Sequence, residues 1–316
     1  MSDEHYNIVF LDRATIGVSV RAPKFPHTYE EYQATLPDQV VERLASAEIA
    51  IINKVPMRAP SLEKLPDLKL IAVAATGTDC VDKAYCKAHG ITVSNIRNYA
   101  VNTVPEHTLA LIFALRRSLI PYVLDVRRGK WQTIDQFCYF DHPIRDIAGS
   151  TLGLVGFGAL GKSVARRAEA LGMKVIATDV FDFPGKVDLD TILTQSDIIS
   201  LHCPLTETTR NMIGAAEFKK MKKDAILINT ARGGLVDEKA LVEALKSGEI
   251  AGAGFDVLTV EPPKNGNVLL EANLPNLIVT PHVAWASHEA MTGLANQLVD
   301  NIEAWVAGKP QNVVLE

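Results

Sequence analysis

"LGLVGFGALGKSVARRAEALGMKVIATD", residues 152–179, opens on an apolar run and turns through three glycines spaced G-x-G-x-x-G. It then continues at helical period and closes, after a second apolar run, on Asp179. Strand, glycine turn, helix and strand in that order make one βαβ unit of a parallel sheet. In such a unit Gly156 permits the tight turn after the strand, Gly158 lets a diphosphate approach the backbone, and Gly161 lets helix and strand pack closely. The N–H groups at the helix start then face negative charge, which the helix dipole favours. An aspartate at the end of the second strand can accept hydrogen bonds from both adenosine ribose hydroxyls, and its charge repels a 2′-phosphate. Val180-Phe181-Asp182 offer no cation to hold that phosphate. The expected cofactor is therefore NAD, in preference to NADP.

This unit starts about 150 residues into a chain of 316 residues, so the sequence on both sides needs a place. The length fits two domains or one large α/β unit. With 47% hydrophobic residues, 22% charged and a formal charge of −5, the composition is that of a soluble globular protein, and it lacks the basic excess a nucleic-acid partner needs. The start, Met1-Ser2-Asp3-Glu4, is acidic and not the basic segment of a secretory signal. The most apolar helical stretch, Leu109 to Leu115, falls far short of the ~20 residues of a membrane span. No membrane or nucleic-acid partner is expected, and the location is expected to be cytoplasmic. Cys80, Cys86, Cys138 and Cys203 form no C-x-x-C pair, so they read as ordinary buried or half-buried thiols, with no metal site.

Before the glycine unit, β-branched runs recur at 7–12, 48–53, 68–75 and 90–95 with helix-length segments between them. After it come runs at 197–204, 225–231, 251–257 and 277–282, which with 151–158 and 174–179 give six buried strands. Both series carry the pattern of doubly wound parallel sheets. Residues 104–117 read as one long amphipathic helix, 131–147 as a loop, and 288–306 as a final helix stopped by Gly308 and Pro310. The expected fold class is thus α/β with two Rossmann-like domains. A flavodoxin-like substrate domain takes 1–100 and 288–316, and an inserted NAD-binding Rossmann domain takes 101–287. The fingerprint lies in mid-chain because its domain is inserted.

"KMKKDAILINTARGGLVDEKALVEALKSGEIAGAGFDV" (220–257), "VEPP" (260–263), "TPHVAWAS" (280–287) and the glycine fingerprint together resemble the D-isomer-specific 2-hydroxyacid dehydrogenase family along essentially the whole chain. Within that family "ATGTDCVD" (75–82), "TVPEH" (103–107), "QFCYFD" (136–141) and "LHCPLTETT" (201–209) are most similar to glycerate dehydrogenases, also called hydroxypyruvate reductases. The resemblance implies roles that the residue chemistry supports. Arg232 matches the substrate arginine, whose planar fork grips a carboxylate and the adjacent keto oxygen. His282 matches the acid/base, and Glu261 its carboxylate partner, which orients the ring and favours the imidazolium. The three catalytic candidates are therefore Arg232, Glu261 and His282.

For the substrate's carboxylate the resemblance implies backbone N–H groups of Thr76 and Gly77. Lys54 stands where phosphoglycerate-using relatives carry an arginine. For the cofactor it implies backbone contacts at Ala159 and Leu160, then Cys203, Pro204, Thr209, Thr230 and Ala231, and Asp256 near the nicotinamide amide. His107, Thr76, Arg232 and His282 are further cofactor contacts. Where many members carry Arg-Ile inside the glycine loop this chain has Ala159-Leu160, so a charged contact to the diphosphate is missing. Trp285 and Phe140 read as walls of a small aromatic site.

The expected reaction is NAD(H)-dependent reduction of a short 2-keto acid, hydroxypyruvate to D-glycerate, with glyoxylate as second substrate. The alternatives are 3-phosphoglycerate, D-lactate or a bulkier 2-keto acid and, from another class, a non-catalytic NAD(H)-sensing module. The resemblance also implies a homodimer, with "DQFCYFDHP" (135–143) as candidate interface.

Overall fold

The computed structural model describes residues 4–314, so the Met1-Ser2-Asp3 segment read against a secretory signal lies outside it. The chain divides into two compact units, one running to Ala100 and resuming at Ala286, the other Val101–Trp285.

The first unit is a five-stranded parallel sheet of β1 (Tyr6–Phe10), β2 (His27–Glu31), β3 (Ile49–Ile52), β4 (Leu70–Val73) and β5 (Thr92–Ser94), in the order β2-β1-β3-β4-β5. This is the flavodoxin-like order. β3 and β4 are buried at every position, because helices cover both faces of a parallel sheet. β2, "HTYEE", was not expected as a strand. It is a sheet edge, mostly exposed, so neither an apolar run nor a clean alternation marks it. The helix His288–Val306 belongs to this unit. Its buried Leu294, Leu298 and Ile302 turn inward, Asn301 donates to the Asn95 carbonyl (2.9 Å), and the Trp305 indole donates to Thr92 (3.1 Å). Val313 then bridges antiparallel to Ser94, so the far end of the chain extends the first sheet.

The second unit holds β6 (Thr151–Val155), β7 (Lys174–Thr178), β8 (Ile198–Leu201), β9 (Ile226–Asn229), β10 (Gly252–Phe255) and β11 (Leu277–Val279), all parallel, in the order β11-β10-β9-β8-β6-β7. All six expected strands form, although β7 and β11, at the edges, are only half-buried. A lone parallel bridge from Ala177 to Lys186 lies outside β7, where the third strand of a Rossmann sheet would stand. The side-chain period of two divides the apolar residues cleanly. Leu227 joins Phe218, Leu241 and Leu245 on one face, while Ile226 and Ile228 join Ile112, Val164 and Ala168 on the other.

The expected helix over 104–117 is Thr103–Arg116, and a separate helix, Leu119–Arg127, follows it. The break is Ser118, in the left-handed region at φ 47°. Apart from one 3-10 turn, Lys130–Thr133, the 131–147 segment is a loop. Among the described residues no helix is long and apolar enough to cross a membrane, and no group of His, Cys, Asp and Glu could hold a metal. The four cysteines are free, Cys86 buried and the others half-buried.

Candidate active site

Six segments carry most of the candidates of the second unit, and each follows the carboxyl end of a strand of one parallel sheet. The glycine loop follows β6, Asp179 follows β7, Cys203-Pro204 follows β8, Thr230–Arg232 follows β9, Asp256 follows β10 and Thr280–His282 follows β11. Parallel strands end on one edge of the sheet, so the sequence brings these groups to a common rim, where open α/β sheets bind ligands.

At β6 the residues present fit a dinucleotide. Gly156 lies at φ 99°, and a Cβ there would stand 2.6 Å from the Cys203 nitrogen. A Cβ at Gly158 would meet nothing within 4 Å, which leaves room for a diphosphate against the backbone. Helix Ala159–Ala170 begins at Gly158 without a side-chain cap, so its first N–H groups, at Ala159 and Leu160 among others, face that space. Asp179 accepts the Phe157 N–H on Oδ2 (2.5 Å) and, at 3.4 Å, the Phe181 N–H on Oδ1. The ribose-binding candidate thereby also ties down the middle of the glycine loop. Beneath the loop the His202 imidazole turns inward onto the Ser200 hydroxyl (2.8 Å), and burial pushes its pKa down to about 4. Burial raises the Cys203 thiol to about 11, which keeps it a protonated, half-buried wall. Thr209 donates to the Pro204 carbonyl (2.8 Å) and closes the turn after it.

The loop after β9 is clamped by a residue that sequence reading missed. Asn229, fully buried, accepts the Ala231 N–H (3.1 Å) and donates to the Arg232 carbonyl (2.9 Å). Its position at a strand end just before a Gly-Gly pair was the available signal. Thr230 is held by the Thr108 hydroxyl (3.1 Å). Gly233 has no space for a Cβ, which would stand 2.0 Å from the Leu258 carbonyl carbon. The Arg232 backbone is therefore fixed on both sides, and its guanidinium donates to the Ala231 carbonyl at 2.8 Å.

His282 has φ 55°, an uncommon conformation for a residue with a Cβ. Asp256, 1% exposed, holds the turn: Oδ1 accepts from the Thr280 hydroxyl (2.5 Å) and the Val283 N–H (3.0 Å), and Oδ2 from the Ala284 N–H (2.8 Å). The His282 N–H donates to the Asp256 carbonyl (2.8 Å), and the Trp285 indole to the His282 carbonyl (3.0 Å). His107, on helix Thr103–Arg116, bonds Thr280 through Nε2 at 3.0 Å. The His282 ring meets Glu261 through Nδ1 at 2.5 Å, and the other oxygen of Glu261 accepts the Leu258 N–H at 2.7 Å. A cavity of about 320 Å³ opens beside Asp256, Glu261, Thr280 and His282. With a carboxylate on Nδ1, a proton can enter or leave the ring at Nε2.

Thr76, Gly77 and Lys54 lie in the first unit. The Thr76 hydroxyl donates to the Ile96 carbonyl (2.7 Å), and its carbonyl accepts from Asn95 (2.8 Å). Lys54 follows β3, and its N–H and that of Asn53 are both gripped by the buried Asp12 carboxylate, at 2.7 and 2.8 Å. Phe140, expected as a wall of the site, is 80% exposed on its loop, an arrangement that suits a surface contact better than a pocket wall.

Residues 109–284 match the family described as D-isomer specific 2-hydroxyacid dehydrogenase, NAD binding domain. The chain is 70% identical over 308 residues to a glycerate dehydrogenase of Methylorubrum extorquens, covering 97% of this chain and 98% of the relative. It is 37% identical to a hydroxypyruvate reductase of Blautia hydrogenotrophica, covering 90% of each. A D-lactate dehydrogenase from Aquifex aeolicus, solved with NAD and lactic acid, superposes with a TM-score of 0.82 at 29% identity, covering 98% of this chain and 99% of that one. The chain belongs to the D-isomer specific 2-hydroxyacid dehydrogenases and is an NAD-dependent oxidoreductase acting on a CH–OH group.

Proposed function

We propose that the protein reduces hydroxypyruvate to D-glycerate, and glyoxylate to glycolate, with the unit of 101–287 holding the cofactor and that of 1–100 and 288–316 the substrate. The observation that carries the chemistry is the His282–Glu261 pair at 2.5 Å on the sheet edge that also bears the glycine loop. Support for the substrate comes from the 70% identical glycerate dehydrogenase.

NADH, when bound, supplies hydride to the keto carbon. Arg232 grips the carboxylate and the keto oxygen, drawing electron density from the carbon to be attacked. Protonated His282 gives its Nε2 proton to that oxygen, and Glu261 stabilises the imidazolium before transfer and keeps the ring aligned. Thr76 and Gly77 offer N–H groups to the substrate carboxylate, and Lys54 contributes a positive charge to substrate binding. Gly156, Gly158, Ala159, Leu160 and Gly161 cradle the diphosphate and Asp179 takes the ribose hydroxyls. Cys203, Pro204, Thr209, Thr230, Ala231, Asp256, Thr76 and His107 complete the cofactor contacts.

The functional form is a homodimer in the cytoplasm. Helix Leu119–Arg127 buries none of its residues, and Leu119, Val123 and Val126 on it, with Phe137 and Phe140 beyond it, are exposed large apolar side chains. Free thiols fit a reducing compartment.

The test is loss of NADH absorbance at ~340 nm with hydroxypyruvate, glyoxylate, pyruvate and 3-phosphohydroxypyruvate offered separately. Fastest turnover with hydroxypyruvate is expected. Preference for pyruvate or the phosphorylated acid overturns the substrate, and no turnover with any overturns the enzyme reading.

A further inference from the structure

The acid/base turn is wired to a second histidine. Asp256 and Thr280 stand at the carboxyl ends of the adjacent strands β10 and β11, and their side chains meet at 2.5 Å. A carboxylate only accepts, so the single hydroxyl proton of Thr280 is spent on Asp256 Oδ1. The bond between Thr280 Oγ1 and His107 Nε2, at 3.0 Å, must then run the other way, with Nε2–H donating to the hydroxyl oxygen. In a neutral imidazole this fixes the tautomer and leaves Nδ1 with a lone pair. His107 is held where it stands by a helix whose Thr108, the next residue, is itself bonded to Val104 and Thr230 (2.9 and 3.1 Å). The result is a preset hydrogen-bond acceptor on a ring bonded to Thr280, two residues before the acid/base His282.

A nicotinamide that delivers hydride to the carbon whose oxygen His282 protonates has to lie within a few ångströms of this strand end. Its carboxamide carries two N–H donors and one acceptor. Resting on the cofactor reading above, we propose that His107 Nδ1 accepts a carboxamide N–H and so fixes which way the amide, and with it the ring face, is turned. Thr280 acts on the cofactor through His107 as a positioning residue, and Asp256, itself among the proposed cofactor contacts, orients the Thr280 hydroxyl in addition to holding the His282 turn.

Reduced 3-acetylpyridine adenine dinucleotide tests the assignment, because an acetyl group keeps the carbonyl oxygen and lacks both N–H donors. By calorimetric titration in the absence of substrate, the native chain is expected to bind NADH about three- to tenfold more tightly than the analogue, the worth of one neutral hydrogen bond. In His107→Phe that ratio falls by at least threefold. The same ratio in both proteins overturns the role of His107, whereas failure of the native chain to bind NADH overturns the cofactor reading beneath it. If His107→Phe does not fold, nitrogen-15 spectra of native His107 decide. The expectation is a bare Nδ1 in the free protein, shifted by NADH and not by the acetyl analogue. A proton on Nδ1 before binding, or equal shifts with both, removes the proposal.

Discussion

At the scale of residues, the site is built from side chains that fix backbone at a few strand ends. Asp256 and Asn229, both buried, spend their polar atoms on the loops bearing His282 and Arg232. In the proposed reaction such preset geometry keeps His282 and Arg232 from having to be reordered at each turnover. His282→Ala should lower kcat for hydroxypyruvate reduction by about 10²-fold or more with little change in NADH affinity. Steady-state kinetics with a cofactor titration checks this, and near-native turnover would take His282 out of the reaction. Asp179→Ala removes charged hydrogen bonds worth about 1.5–3 kcal/mol, and it also releases the Phe157 N–H in the glycine loop. NADH binding should weaken by about tenfold or more while NADPH changes less. Parallel titrations with the two cofactors measure the ratio, and an unaltered preference would refute the assignment. The place of Asp179 was legible in the sequence, because its spacing from the glycines puts it at the end of the next strand. The Asp256 grip on Thr280, Val283 and Ala284 was not, because those partners lie 24–28 residues away and only the adjacency of β10 and β11 brings them together.

At the scale of elements, strands buried on both faces were readable and those at edges were not. "IAII" of β3 and the "AILI" run that carries β9 as far as Ile228 announce themselves as continuous apolar stretches. "HTYEE" of β2 does not, since an exposed edge strand has little apolar surface to display. The break at Ser118 did carry a signal that the reading of 104–117 as one helix left unused: Pro121 lacks an N–H and sits in the first turn of the helix that follows. Glycines inside strands tell of close packing: at Gly254 of β10 a Cβ would stand 3.1 Å from Leu111 and 3.3 Å from Leu115, on helix Thr103–Arg116. Gly254→Val overfills this contact and should cost about 1–3 kcal/mol. Denaturant unfolding measures it, and a midpoint equal to that of the native protein would show that the helix can move away.

At the scale of the whole molecule, two units, each built on a parallel sheet, divide the chain. Parallel crossovers leave few strand orders open, which makes the plan of each sheet readable once its strands are found, as they were in the second unit and, for want of β2, were not in the first. The association of copies is not readable in this way, since it depends on surface shape. The exposed apolar helix Leu119–Arg127 is the feature that argues for association. For the proposed dimer, Val123→Asp, on an already exposed position, should therefore shift the mass in solution from dimer to monomer without loss of fold. Light scattering with circular dichroism separates these outcomes, and an unchanged dimer would move the interface elsewhere.

The helix His288–Val306 and the Ser94–Val313 bridge also set an order of events during synthesis. Strands β1 to β5 leave the ribosome long before the helix that covers them, because the residues of Val101–Trp285 come between. At ordinary translation rates that delay is roughly 10–40 s. Through that interval Leu294, Leu298 and Ile302 have yet to reach the sheet they pack on, so the nascent first unit keeps apolar surface in water while the second can already close around its own core. The part of the protein made first is thus the part finished last, and its early exposure is where chaperone capture would concentrate.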